Sequence, residues 1–272
     1  MRWLVLFLML PFAAAAQDRR PSHCIALAEA PGLEYVQPAR FGQALDAYSV
    51  RLSYIDHATF VLETAGGLVA ATDYTGFLGA VDVVPDVVTM NHAHDSHWTA
   101  LPDTRIPHVL KGWSDGRVAN DHHLDLGEML VRNVATDIRS RVTGGVEKYG
   151  NSIFVFEVAG LCIGHLGHLH HMPDDAQFAA LGRLDVVMAP VDGGLTLDLP
   201  TMIEVLKRLR SSVVIPMHYW GDASLRAFVS GMSAEFDIER RGGPSIELSA
   251  RSLPRRPTVI TLRPAFLRAQ ED

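Results

Sequence analysis

Cysteine is nearly missing from this chain: Cys24 and Cys162 are the only two among 272 residues. Neither looks like a nucleophile or a zinc ligand, which sets thiolate chemistry aside. In an oxidising compartment they could pair, while Cys162, inside the apolar run Leu161-Cys162-Ile163, reads equally well as a buried inert thiol. Basic blocks are missing too. The 24 Lys and Arg are scattered against 31 Asp and Glu, a formal net charge of −7, which leaves no electrostatic grip on nucleic acid or an anionic membrane. There is no internal repeat, low-complexity linker or composition shift to mark a second domain, and a hydrophobic content of 48% is ample for one sizeable core.

A long apolar run occurs only at the start. Met1-Arg2 precedes an apolar stretch from Trp3 to Phe12, then Ala13-Ala14-Ala15-Ala16 and Gln17-Asp18. This pattern predicts a signal peptide over 1–16 cut after Ala16, because the run is brief for a membrane span and small residues follow it at once. The mature chain is then expected in the periplasm or secreted, and the lack of a cysteine at the cut argues against a lipoprotein. Residues 17–47 read as an N-terminal extension and 48–272 as the folded domain.

From Tyr48 the pattern is a β-meander: Val50 to Ile55, Thr59 to Glu63, a turn at Ala65-Gly66-Gly67, and Leu68 to Thr72. Further strands are predicted at Val87–Met90, Met129–Val134, Ser152–Val158, Leu161–Gly164, Leu184–Ala189, Val213–Pro216, Ile246–Leu248 and Val259–Leu262. Helices are predicted over Pro173–Leu181, Pro200–Leu209 and Ser224–Met232. The middle one has Pro at its first turn, a Thr201–Glu204 capping pair, and Met202, Leu206 and Leu209 on one face. This order suits two sheets packed face to face with helices outside.

Several of the 13 histidines fall at predicted strand ends: His57, the run His92-Ala93-His94-Asp95-Ser96-His97, the group His165, His168, His170 and His171, and His218. Neutral imidazole is the commonest protein ligand for zinc, and strand ends let loops carry ligands on a rigid base, so the arrangement points to a metal site. His170 and His171 read as solvated loop residues and His122-His123 as surface, while His23 and His108 have no partner in sequence. Tyr219 and Trp220 suit packing or a pocket wall equally.

Placed after Val87–Met90, the histidine run resembles the H-x-H-x-D-H signature of the metallo-β-lactamase superfamily. His57-Ala58-Thr59-Phe60, Asp73, Gly164-His165-Leu166-Gly167 and Pro216-Met217-His218-Tyr219 are similar to its lactonase and phosphodiesterase-like branch, which includes the L-ascorbate-6-phosphate lactonase-like group. The likeness covers about residues 48 to 265. It implies an αββα sandwich, an α/β fold of two mixed sheets with helices on the outer faces, and one or two zinc or other divalent ions. It implies ligands His94, His97, His168 and His218, with His92 next. Asp95 would orient a ligand or accept a proton, and His57 and Asp73 would stand at the site's edge. Three departures stand out: Ser96 occupies the family's aspartate position, Gly167-His168 replaces a Gly-Asp pair, and the family's middle histidine is missing, with Asp137 nearest. A register slid to put Met90 on the first histidine is the alternative. The expected chemistry is metal-dependent hydrolysis of a small-molecule lactone, ester or phosphodiester. A non-catalytic metal-binding protein is the rival reading and a true β-lactamase a weaker third.

Overall fold

The structure is a computed structural model that describes residues 19–26, 37–38, 41–140 and 143–268. The predicted signal peptide lies outside the described residues.

The alternating apolar runs form two sheets. A seven-stranded sheet runs from Gln37–Pro38 through Ser245–Ser249, Ser49–Asp56, Thr59–Thr64, Val69–Ala71 and Val87–Met90 to His108–Lys111. An eight-stranded sheet runs from Asp237–Arg240 through Thr258–Thr261, Val213–Met217, Val186–Pro190, Leu161–His165, Val146–Val158 and Met129–Arg139 to His123–Asp125. Leu52, Phe60 and Leu62 of the first meet Phe154, Phe156, Met188 and Ile215 of the second in a shared core where all seven are fully buried. Each such side chain contributes roughly 1.5–3 kcal/mol by leaving water.

Three helices, Asp175–Leu181, Leu199–Leu209 and Asp222–Met232, lay Leu181, Met202, Leu206, Phe228 and Met232 on the outer face of the eight-stranded sheet, against Val187, Val214 and Val259. Asp174 forms a capping box with Gln177 at the first helix. At the second, the Asp198 carboxylate accepts the Thr201 N–H, so the cap is Asp198 rather than the predicted Thr201–Glu204 pair. The outer face of the seven-stranded sheet is also covered. Among the described residues, Ile55, Val61, Val88 and Met90 of the seven-stranded sheet are covered by Tyr74, Leu78, Trp98, Ile106 and Trp113 from loops.

Cys24 and Cys162 are joined as a disulfide with Cα atoms 5.8 Å apart, which decides between the two readings of these residues. Leu161–His165, Val186–Pro190 and Val213–Met217 run parallel, so their carboxyl ends reach one edge of the sandwich. Val87–Met90 is parallel to both of its neighbours in the other sheet.

Candidate metal centre

That edge gathers five imidazoles. His57 lies in the turn joining Ser49–Asp56 to Thr59–Thr64, and after Val87–Met90 His94 precedes and His97 ends the short 3₁₀ turn Asp95–His97. His168 follows Leu161–His165, and His218 directly follows Val213–Met217. The His57 carbonyl accepts hydrogen bonds from the His218 N–H and the Tyr54 hydroxyl, both at 2.8 Å, which locks the two turns together. One ring nitrogen from each of His57, His94, His97 and His218 lies within 4.8 Å of the others. The His168 ring centroid is 4.7 Å from His94, 4.9 Å from His97 and 4.7 Å from His218. His57, Asp73 and His218 all adopt positive φ (44°, 39° and 55°), a conformation that costs a non-glycine residue roughly 1–3 kcal/mol and concentrates at functional sites.

Behind the rings stand carboxylates. Asp73, fully buried, takes a short hydrogen bond from His97 Nδ1 and one of 2.9 Å from Asn91 Nδ2. Asn91 is itself oriented by the Ser152 N–H, which donates to its Oδ1 at 2.8 Å. Asp192 Oδ1 lies 3.0 Å from His218 Nδ1, and its Oδ2 accepts the N–H groups of Gly194 and Leu195 at 2.9 and 2.6 Å. Gly167 admits this packing: a Cβ there would come within 2.4 Å of Asn91 Nδ2, and its φ is +58°.

Burial sets the protonation states. Desolvation first, then the neighbouring imidazoles, pushes His57, His97 and His168 below the ordinary histidine range, so at neutral pH these rings carry lone pairs rather than charge. Burial lifts Asp73 to about 6, leaving it ionised at pH 7. Burial alone would lift Asp192 as well, but His218, the Thr196 hydroxyl and the Gly194 N–H outweigh it and hold this carboxyl below its usual range. Nε2 of His57, His97 and His218 is buried without a hydrogen-bond partner. Each such orphan costs about 1–3 kcal/mol, and a divalent cation is the partner that three converging lone pairs suit. The residues therefore fit a metal ion, with His57, His94, His97 and His218 in position to hold it.

Some predicted site residues are placed elsewhere. His92 is exposed, stacked on Trp113 with ring centroids 4.9 Å apart, and its Nδ1 is 3.6 Å from Glu147. The inward position at that strand end belongs to Asn91, held by Asp73 and Ser152. Asp95 is exposed at the start of the 3₁₀ turn, where it lines a cleft rather than backing an imidazole; Asp73 and Asp192 do that. Asp137, nearest to the missing middle histidine, is paired with Lys148 at 2.7 Å. His170 is not solvated but buried, its Nε2 in short contact with His168 Nδ1. His165 is a core residue that hydrogen-bonds the Ala58 carbonyl at 2.8 Å. Tyr219 packs under the helices, whereas Trp220, 63% exposed, stands 4.6 Å from the His57 ring as a wall. Asp192 escaped the sequence reading, although it follows a buried strand at the same edge and precedes Gly193-Gly194.

A cleft of about 480 Å³ opens beside the cluster, lined by His94, His168 and His170 together with Asp95, Arg139 and Trp220.

A family model described as "Beta-lactamase superfamily domain" matches residues 51–218. A "UPF0173 metal-dependent hydrolase" of Methanospirillum hungatei is 25% identical over 186 residues, covering 62% of this chain and 83% of its own. Its counterpart in Thermoplasma volcanium is 23% identical over 189 residues, with the same coverage of 62% and 83%. Among solved structures, one assigned to a Zn-dependent hydrolase of the metallo-beta-lactamase superfamily from Thermotoga maritima superposes with a TM-score of 0.57 at 25% identity, covering 78% of this chain and 98% of that one. The metallo hydrolase Igni18 of Ignicoccus hospitalis shares the fold at TM-score 0.50 and 19% identity, covering 68% and 91%. Sandwich, strand-end imidazoles and family match agree, and the chain belongs to the metallo-β-lactamase superfamily.

Proposed function

We propose that this protein is an exported, zinc-dependent hydrolase acting on a neutral ester or lactone. The observation that carries the reading is the set of buried, unpartnered Nε2 atoms on His57, His97 and His218, two of these rings backed by carboxylates. An all-imidazole set suits zinc among several transition metals, and the Thermotoga maritima relative is described as zinc-dependent. A bound zinc ion would supply Lewis-acid polarisation of a substrate oxygen and would lower the pKa of a water it holds to about 7. The chain's own groups do the rest. Asp73 keeps a proton on Nδ1 of His97 and so aims its Nε2 lone pair at the centre, while Asp192 stands behind His218, its Oδ1 3.0 Å from that ring's Nδ1. Trp220, Leu195 and Ile138 offer an apolar wall for the non-reacting part of a substrate.

Substrate charge follows from the same cleft. The Arg139 guanidinium donates to the carbonyls of His170, Gly194, Leu195 and Thr196, and Asp95 adds a negative charge at the rim. Among the described residues this favours a neutral ester or lactone over a phosphodiester. His168 in place of a carboxylate removes the group that would bridge two ions and supports a single ion; it also favours the rival reading, a metal-binding protein without catalysis. Export is supported by the apolar start of the chain and by the Cys24–Cys162 disulfide.

The test is metal content of wild type, His94→Ala and His218→Ala by elemental analysis, followed by assays on p-nitrophenyl esters, γ-lactones and bis-p-nitrophenyl phosphate. About one zinc per chain, lost in both variants, with turnover of the ester or lactone is expected. Folded protein that refuses zinc overturns the metal reading, whereas zinc without turnover of any probe leaves the non-catalytic one.

A further inference from the structure

His168 holds the position where a metal ligand was expected, yet its hydrogen bonds run the wrong way for one. The backbone N–H of Arg139 donates to Nδ1 of His170 at 2.7 Å. A backbone amide can only donate, so His170 Nδ1 carries a lone pair and its ring proton sits on Nε2. Burial, followed by the neighbouring Arg139 charge, lowers His170 to about 3, in keeping with a neutral ring. Nε2–H of His170 is in short contact with His168 Nδ1, which must therefore accept. The neutral His168 ring then holds its own proton on Nε2, 2.9 Å from His94 Nε2. That atom accepts, and His94 Nδ1–H passes on to Ser96 Oγ at 2.8 Å. Reversing the chain would set two donors against each other at Arg139 N–H.

A ligating imidazole needs the opposite arrangement: a lone pair on the atom facing the metal and its other N–H donated to an acceptor. His97 has it, with the Asp73 carboxylate accepting at Nδ1, and Asp192 Oδ1 stands 3.0 Å from His218 Nδ1. We propose that His168 is not a ligand but a fixed N–H donor facing the cluster, and that His170, itself held by the Arg139 amide, is the positioning residue that sets the His168 tautomer. A metal that takes the His94 Nε2 lone pair, a role that rests on the proposed function, releases this N–H from His94 and leaves it a preorganised donor for a substrate oxygen that gains negative charge, the kind of contact whose strength grows toward a transition state. Replacing the family's carboxylate by a donor changes the sign of the charge this position favours.

Tautomers are read directly from long-range ¹H–¹⁵N correlations of histidine-labelled full-length protein, metal-free and then with zinc. The expected result is protonated Nε2 and unprotonated Nδ1 on His168 in both states. His170→Ala should shift His168 toward the Nδ1–H form or a mixture. His168→Gln, which keeps a donor, should hold zinc within about threefold of wild type, while His97→Gln, which removes a ligand, loses more than the roughly 10- to 100-fold that losing a backing carboxylate costs. An Nδ1–H tautomer in the metal-free wild type overturns the proposal. So does loss of the Nε2 proton of His168 on adding zinc, or a zinc loss in His168→Gln equal to that in His97→Gln. Should His168→Gln fail to fold, the wild-type spectra decide alone. Should the protein take no zinc, the metal reading fails while the metal-free spectrum still decides the tautomer.

Discussion

Replacing Asp73 by Asn changes one atom and removes one charge, and the surroundings allow the new amide no comfortable orientation. Asn91 cannot turn, because its Oδ1 receives the Ser152 N–H and its Nδ2 therefore faces position 73. If the new amide presents oxygen to His97 Nδ1–H, its NH₂ confronts the NH₂ of Asn91, and a buried donor is left unpaired at a cost of about 1–3 kcal/mol. If it turns the other way, its NH₂ donates to His97 Nδ1 and moves the imidazole proton to Nε2, the atom needed for the metal. The first orientation lowers stability and the second lowers metal affinity. Loss of the carboxylate behind a ligating histidine costs about 10- to 100-fold in affinity, or about 1.4–2.7 kcal/mol. Zinc affinity from competition with a chromophoric chelator, paired with the thermal midpoint of the zinc-free protein, measures both. A folded Asp73→Asn variant that binds zinc within twofold of wild type and melts with it would refute the assignment of Asp73.

Three further outcomes are expected. His92→Ala, outside the cluster, should keep wild-type zinc content by elemental analysis and shift stability by about 1 kcal/mol or less. Cys24→Ser opens a loop with a sequence separation of 138, for which chain entropy sets a destabilisation approaching about 5 kcal/mol by denaturant titration, with the sandwich retained in far-ultraviolet circular dichroism. Glu157 is buried, which alone would raise its carboxyl, but the Ser22 hydroxyl, Arg132 guanidinium and His23 outweigh burial and hold it below the ordinary glutamate range. A depressed folded-state value contributes stability above the unfolded-state pKa and loses it as pH falls through the folded one. Glu157→Gln should therefore be less stable than wild type at pH 7, with the difference shrinking under acid in a pH series of thermal melts.

Strand-rich parts of the fold were legible because each has an apolar run with its own boundary: Ala65-Gly66-Gly67 marks one hairpin and Ala159-Gly160 another. His108–Lys111 and His123–Asp125 were not, since they are short, half-exposed and recruited by register with a neighbour rather than by their own pattern. Met129–Arg139 and Val146–Val158 run past their predicted ends because two long strands stabilise each other across a bulge. In the site, His57, His94, His97 and His218 were visible as histidines at strand ends. What sequence spacing could not tell was direction: His92 points out where Asn91 points in. Asp192 and His170 take their meaning from atoms far away in the chain, His218 Nδ1 and the Arg139 amide, and no local motif encodes such pairs.

The imidazoles of the cluster come from turns in both sheets, from position 57 to position 218. An unfinished chain therefore has no chelating pocket to offer, and its scattered histidines compete poorly with the ligands of the surrounding medium. Metal choice is thus postponed until the sandwich closes. On the proposed export route, a chain that closes its sandwich only after crossing takes the ion that the receiving compartment contains, not one from the metal pool of the cytoplasm.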